Sequence, residues 1–532
     1  MSTRFQSILL FIGFAFALSS CSDKTKLTAE QATKNLIAKE QPSMVMSIAA
    51  GDLLEKSGMA DGSVLPMTVK MLFGEMLSYA TESEKTGIDM SSNSYVLIYP
   101  GTNGAFSHVA AVYTLKDAEV FAKMIKEDLE VEPSEKGKYK YVISPDNDFS
   151  FAWYKHFGMV IMLGDAEERG KTAMEAKIEE LMTRSIEEGE LPANFTSLFT
   201  EQSDFAMYIA TDGFVNMASA TAEEMEGEME GETSQKEAVN KMKELYKDCY
   251  TLYTVSFETD KIAAKIKNYF TDKAKKEIAG MTRKGISADM LNYLTSDQML
   301  GFFTCAVSAE SIFDFGKKMG GYEFNSSMDE FNRETGIQFS DIVSSFSGDF
   351  TMAFVGMTER TNKYEYTDET GKIQVDEWKS TSPSVNLCFG IKNNLIRTIA
   401  DTTKDIKKEG NIYAMKDDLY MVITDNKMFL TTSQESAKEV AANGSLKPYS
   451  ANGIEKKATE NAAFGYFDFK SLITSMGDSE KVLQQFLAKF DNAVAYGDTE
   501  EMIFELNFRK TGENGLYIIT KSMMDTYFNI SF

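Results

Sequence analysis

Thr86-Gly87-Ile88-Asp89-Met90 and Thr335-Gly336-Ile337-Gln338-Phe339 lie 249 residues apart, and each opens onto a run of strand-like segments. The same separation holds between Tyr253-Thr254-Val255-Ser256-Phe257 and Met502-Ile503-Phe504-Glu505-Leu506. Between these markers the order of elements recurs. The alternating segment His108–Tyr113 leads into a helical stripe of Val120, Phe121, Met124, Ile125 and Leu129. Its counterpart is Val385–Phe389 followed by Leu395, Ile396 and Ile399. Tyr141-Val142-Ile143 answers to Tyr413-Ala414-Met415, Met159–Leu163 to Lys427–Leu430, and Phe205–Ile209 to Phe464–Phe467. Apolar alternation at period 2 marks strands and spacing of three to four marks helices, so one plan of elements is used twice. The expected fold is therefore α+β: two related halves of mainly antiparallel sheet with packed amphipathic helices. They meet near 285–295, with the first half at 41–290 and the second at 291–532.

Two insertions set the halves apart. Residues 223–232 are low-complexity and acidic, which reads as a loop. Residues Thr358 to Ser382 are polar and strand-prone and carry Tyr364, Tyr366 and Trp378, which reads as a projecting hairpin. Its aromatics either contact a partner or glycan, or pack on their own sheet.

The chain begins with Arg4 and an apolar run, Ile8 to Ala17, too short to span a bilayer comfortably, then Leu18-Ser19-Ser20-Cys21. Small residues before a cysteine in this setting resemble the lipobox of bacterial lipoproteins. The resemblance implies a signal peptide at 1–20, cleavage before Cys21, and lipidation of Cys21. Residues 21–40 then read as a tether leading into a short helix. In Bacteroidota lipoproteins with such a start, surface export goes with acidic residues after the cysteine. Here Asp23 stands with Lys24 and Lys26, which leaves the periplasmic and surface faces of the outer membrane both open.

With Ser43–Ile48 and Asp52–Gly58 added, the chain resembles a Bacteroidota envelope lipoprotein family classified as a domain of unknown function. That resemblance implies an envelope location and an α+β body, and it brings no activity or catalytic residue.

Hydrophobic residues make up 43% of the 532, and there are only eight prolines, which suits packed domains better than extended linkers. No second apolar run reaches the roughly 18 residues of a membrane span, so the lipid on Cys21 is the expected membrane anchor. The net charge of −25 disfavours nucleic acid and bare anionic lipid as partners. It suits divalent cations or a basic partner, or simply a solvated surface.

Little catalytic chemistry is written in the residues. Cys249, Cys305 and Cys388 lack a CxxC neighbour; Cys305 and Cys388 sit in apolar strand-like segments and are expected as free buried thiols, with a bridge between them as the alternative. His108 and His156 are the only two histidines, without metal spacing or a nucleophile elbow nearby. Asp146-Asn147-Asp148 and Asp417-Asp418 are the obvious carboxylates for acid–base work, but both fall where hairpin turns are expected. No metal or cofactor is expected. These residues point to a lipid-anchored envelope protein that binds or scaffolds an envelope protein or glycan. A carboxylate-dependent hydrolase of an envelope polymer, or a solute-binding lipoprotein using a cleft between the halves, are the alternatives.

Overall fold

The structure is a computed structural model. It describes residues 27–531 apart from 68–69, 71–81, 102–105, 165–169, 212–231, 296–298, 368–370, 404–405, 416–418, 448–452 and 477–480. Cys21, Asp417-Asp418 and residues 223–231 of the acidic insertion thus lie outside the described residues. The chain divides into two compact units. The first runs to Ala274 and is joined by Lys510–Phe532; the second is Lys275–Arg509.

Ten strands build the sheet of the first unit: β1 (Met44–Ile48), β2 (Ser94–Pro100), β3 (Phe106–Thr114), β4 (Ser134–Lys136), β5 (Tyr139–Ile143), β6 (Phe149–Tyr154), β7 (Phe157–Leu163), β8 (Phe205–Ala210), β9 (Tyr250–Glu258) and β10 (Lys261–Tyr269). Their spatial order is β10-β9-β8-β1-β2-β3-β7-β6-β5-β4, antiparallel throughout. The second unit also has ten: β11 (Met299–Ala306), β12 (Phe346–Thr367), β13 (Ile373–Ile391), β14 (Lys407–Glu409), β15 (Ile412–Ala414), β16 (Tyr420–Ile423), β17 (Lys427–Thr431), β18 (Ala463–Asp468), β19 (Phe490–Gly497) and β20 (Glu501–Phe508). Their order is β20-β19-β18-β11-β12-β13-β17-β16-β15-β14, again antiparallel. Strand for strand, the two plans are the same. The α+β class read from the sequence holds.

Both faces of the first sheet are covered, which explains why β3, β6 and β7 are buried almost without a break. Ala110, Val112, Met159 and Ile161 point to one core, shared with the helices Ala29–Lys39 and Lys171–Ile186. Their chain neighbours Ala111, Tyr113 and Val160 point to the other, under Phe121, Ile125 and Leu129 of the helix Ala118–Leu129. The second unit repeats this: Phe302, Ala353, Cys388 and Phe429 enter one core, while Met421, Ile423 and Met428 enter another with Ala400 of the helix Leu395–Thr402.

The Thr-Gly-Ile markers are structural twins. Gly87 and Gly336 each end a helix at φ 69°, and Thr86 and Thr335 each accept the N–H two residues on at 3.2 Å. At Gly87 a Cβ would lie 2.3 Å from the Asp117 carbonyl oxygen, so glycine is required twice over.

Other expectations need correction. Met502–Leu506 lies in β20, whose counterpart in pairing order is β10, whereas Tyr253–Phe257 lies in β9. The 249-residue spacing at that end matches two different strands of a hairpin, because both alternate at the same period. Residues 21–40 contain, from Ala29 to Lys39, a helix whose Ala29, Ala32, Leu36 and Ile37 are fully buried; this is core and not tether. The stretch 275–290, expected in the first half, packs with the second unit. The last helix, Gly515–Ser531, belongs to the first unit, tied there by the Asp260 carboxylate, which accepts from the N–H groups of Thr511 (2.8 Å) and Gly512 (3.0 Å).

Matched register exposes one chemical difference between the cores. Across the first sheet runs Tyr208–Val45–Leu97–Ala110–Ile161; across the second runs Tyr466–Phe302–Ala353–Asn386–Thr431. Where the first unit has Ala110 and Ile161, the second buries an amide and a hydroxyl. Thr431 Oγ1 donates to Asn386 Oδ1 at 2.7 Å, while Asn386 Nδ2 has no partner. Thr431→Ile strips the amide of that bond and the Ser433 N–H of its acceptor (3.0 Å) and should cost about 1–3 kcal/mol, whereas adding Asn386→Ala should recover the part owed to the amide. Urea unfolding of both variants checks this; a double variant less stable than Thr431→Ile would contradict it.

Candidate functional site

His108 and His156 sit at opposite ends of β3. His156 occupies the β6–β7 turn, where its carbonyl accepts the Leu115 N–H at 2.8 Å. Six residues of β3 separate His108 from Thr114, which pairs with Phe157; at about 3.4 Å per residue that is roughly 20 Å. The two cannot act on one substrate atom. His108 is 1% exposed, stacked on Tyr99 with ring centroids 4.2 Å apart, and its Nδ1 meets the Ser107 hydroxyl at 2.9 Å. Nε2 and the Tyr99 hydroxyl lack partners. Burial, with Lys177 adding to it, pulls the His108 pKa down to about 4.

This has a direct consequence for stability. The unfolded chain binds a proton at His108 below about pH 6.5, but the folded chain resists it until about pH 4. The contribution of this site is therefore complete above the unfolded value and declines as pH falls from 6.5 towards 4, by an amount on the order of 3 kcal/mol. His108→Gln should flatten that part of the stability–pH curve relative to wild type. Parallel curves for the two proteins would show that His108 is not the group responsible.

The cysteines are structural. Cys305 pairs with Phe350 across β11–β12, and Cys388 pairs with Thr351 across β12–β13. They thus lie two strands apart on opposite faces of the sheet, beyond the reach of a disulfide. Both are free, as expected, and burial pushes both thiols up.

Asp146-Asn147-Asp148 forms the β5–β6 turn, with Asn147 at φ 61°. Asp146 is held below the usual carboxylate range, chiefly by the Ser144 hydroxyl, and is spent on the turn. A pair that sequence reasoning missed is Asp52 and Asp204. Burial raises the Asp52 pKa, with Asp204 and Glu55 adding to it against Lys56. Asp204 is itself committed, one oxygen to Lys56 Nζ at 2.5 Å and the other to the Phe257 N–H at 2.7 Å. An acid without a free base partner is poor machinery for hydrolysis. Among the described residues, no three His, Cys, Asp or Glu side chains gather to hold a metal ion.

What stands out is a surface. Beyond the body of the sheet, β12 and β13 continue as a ribbon in which Thr358–Thr367 pairs with Ile373–Ser382. Register places Tyr364, Tyr366, Asp376 and Trp378 on one face, since Tyr364 opposes Asp376, Tyr366 opposes Gln374 and Asn362 opposes Trp378. Tyr364, Tyr366 and Trp378 are 59%, 40% and 52% exposed, with the tyrosine rings 5.9 Å apart. The other face carries Ile373, Val375 and the Lys363–Glu377 ion pair. The aromatics named from sequence therefore come together, and they do not pack on their own sheet. Ile373, at 70% exposure, joins the exposed set without any sequence signature, as one isoleucine beside a turn carries none.

A family model described as a domain of unknown function, DUF4836, matches residues 34–449. No curated protein matches the chain. Among solved structures, crystal form III of TP0453 is similar at 10% identity and a TM-score of 0.25, over 48% of this chain and 87% of that one. Crystal form I of TP0453 is similar at 9% identity and a TM-score of 0.23, over 45% and 78%.

Proposed function

We propose that this chain, which belongs to the family described as domain of unknown function DUF4836, is a non-catalytic, lipid-anchored cell-envelope protein that binds or scaffolds another envelope component. The observation that carries this reading is the ribbon. The first unit closes the same hairpin, β2 to β3, between Pro100 and Phe106, whereas the second extends it by more than twenty residues. An extension that the same plan does without serves something other than the fold. It also keeps two tyrosines, a tryptophan, an isoleucine and a valine in water, and aromatic side chains of this kind dominate binding surfaces. The two units are, on this reading, products of one duplicated plan, of which only the second acquired the contact element.

Anchoring rests on the lipobox-like Leu18-Ser19-Ser20-Cys21. Among the described residues no helix is long and apolar enough to cross a membrane, and an acyl-modified Cys21 would supply attachment in the outer membrane. Acidity of −25 suits a basic or uncharged envelope partner better than nucleic acid.

Replacing residues 358–382 by an Asn-Gly turn should leave the melting temperature almost unchanged and abolish complementation of a deletion strain. Full complementation by the shortened protein would end the ribbon's claim. Asp52→Asn serves as the contrasting variant: loss of function there, with normal folding, would favour the hydrolase reading. Separately, Cys21→Ala should lose fatty-acid label and leave the membrane fraction. Equal labelling of mutant and wild type would refute the anchor.

A further inference from the structure

We propose that the aromatic face of the ribbon binds a basic protein segment, seating a lysine or arginine side chain among Tyr364, Trp378 and Asp376. This rests on the ribbon being the contact element and names the chemistry of its partner. Register sets the geometry. Asp376 lies directly opposite Tyr364, and Trp378, two residues along the same strand, shares their face. Opposed Cβ atoms stand about 4.5–5.5 Å apart and diagonal neighbours about 7–8 Å. A carboxylate and two aromatic rings therefore surround one spot of the size of a cationic head group. Tyr366, its ring centroid 5.9 Å from that of Tyr364, extends the aromatic side.

Charge identifies the occupant. The two acidic neighbours on this strand differ. Glu377, on the opposite face, is neutralised by Lys363, whereas the exposed Asp376 carboxylate has no ion pair or hydrogen bond among the described residues. Positions 364, 366, 374, 376 and 378 of the aromatic face hold that one negative charge and no positive one. A cation is drawn to the faces of Trp and Tyr by the ring quadrupole, and a neighbouring carboxylate adds to the attraction. A guanidinium also stacks flat on such rings. A neutral sugar would use the rings but leave the Asp376 charge uncompensated. An anion would be repelled by Asp376 and by the net charge of −25. A basic segment is attracted by the whole molecule and held at this spot.

The chain carries its own reporter. Of its two tryptophans, Trp153 is 2% exposed and Trp378 is 52% exposed, so an added peptide reaches only Trp378. An oligoarginine peptide added to the full-length, detergent-solubilised protein should shift Trp378 emission saturably, and a labelled copy of the peptide should gain anisotropy. Asp376→Asn and Tyr364→Ala should each weaken binding several-fold, and Asp376→Lys should abolish it. Asp425→Asn, which removes an equal charge from the exposed β16–β17 turn, should leave it unchanged. No shift of Trp378 emission would overturn the proposal. Equal weakening by Asp376→Asn and Asp425→Asn would overturn it too, by reducing the effect to diffuse attraction. So would dextran, a neutral glycan, if it shifted Trp378 emission alike in wild type and Asp376→Lys. Asp376→Lys that complements a deletion strain, where the ribbon-shortened protein fails, would overturn cation recognition and leave the ribbon as the contact element.

Discussion

Each unit depends on one short central strand. β1 pairs with β2 on one side and with β8 on the other, so five residues near the start of the unit hold segments from its middle and its far end. β11 does the same between β12 and β18. Val45 opposes both Leu97 and Tyr208, and Phe302 opposes both Ala353 and Tyr466. These pairings close very long loops, which orders the chain late and couples distant segments. A central strand in this position has no free edge, and its register therefore sets the register of every strand beyond it. That is why matched rows of residues can be read across both sheets from one end to the other.

Much of this plan was legible from residues because strands buried on two faces and helices buried on one leave different periods. The Thr-Gly-Ile markers were the firmest signal: a left-handed glycine after a helix, with a threonine bonding two residues on, is local chemistry that sequence states openly. Alternation alone was weaker. It marked one strand in each of the β9–β10 and β19–β20 hairpins but matched unlike members, since period 2 looks the same in either strand of a hairpin. Polar composition likewise hid the burial of the helix Ala29–Lys39, where Thr33 and Asn35 lie among Ala32, Leu36 and Ile37 in the core. Asn35 earns its place there by donating to the Ser185 carbonyl at 2.9 Å, a partner 150 residues away that no local pattern reveals.

The candidate chemistry divides along the same line. Histidines, thiols and turn carboxylates were visible as residue types, yet their roles depended on non-local contacts: Tyr99 against His108, strand β12 between Cys305 and Cys388, Lys56 and Phe257 on Asp204. The ribbon was readable because it interrupts an otherwise shared plan, while its residues alone left partner contact and packing of the aromatics on their own sheet both open. What could not be read was which residues share a face. Only the register, Tyr364 to Asp376 and Tyr366 to Gln374, unites the two tyrosines with Trp378.

Comparing a unit with its twin separates what the fold needs from what it merely carries. Positions filled alike in both, such as Gly87 and Gly336 or Tyr208 and Tyr466, answer to geometry, because the same backbone meets the same constraint in each. Positions filled differently are free of that constraint. Ala110 and Ile161 against Asn386 and Thr431 show that even the core admits a buried amide, provided one hydrogen bond survives. Such a substitution lies deep in a packed core, where no partner reaches it. The ribbon differs in kind: it adds backbone, exposes apolar area and, among the described residues, pairs with no third strand, each of which disfavours the isolated molecule. Three unfavourable features in one segment set this insertion apart from a substitution that the packed core simply absorbs.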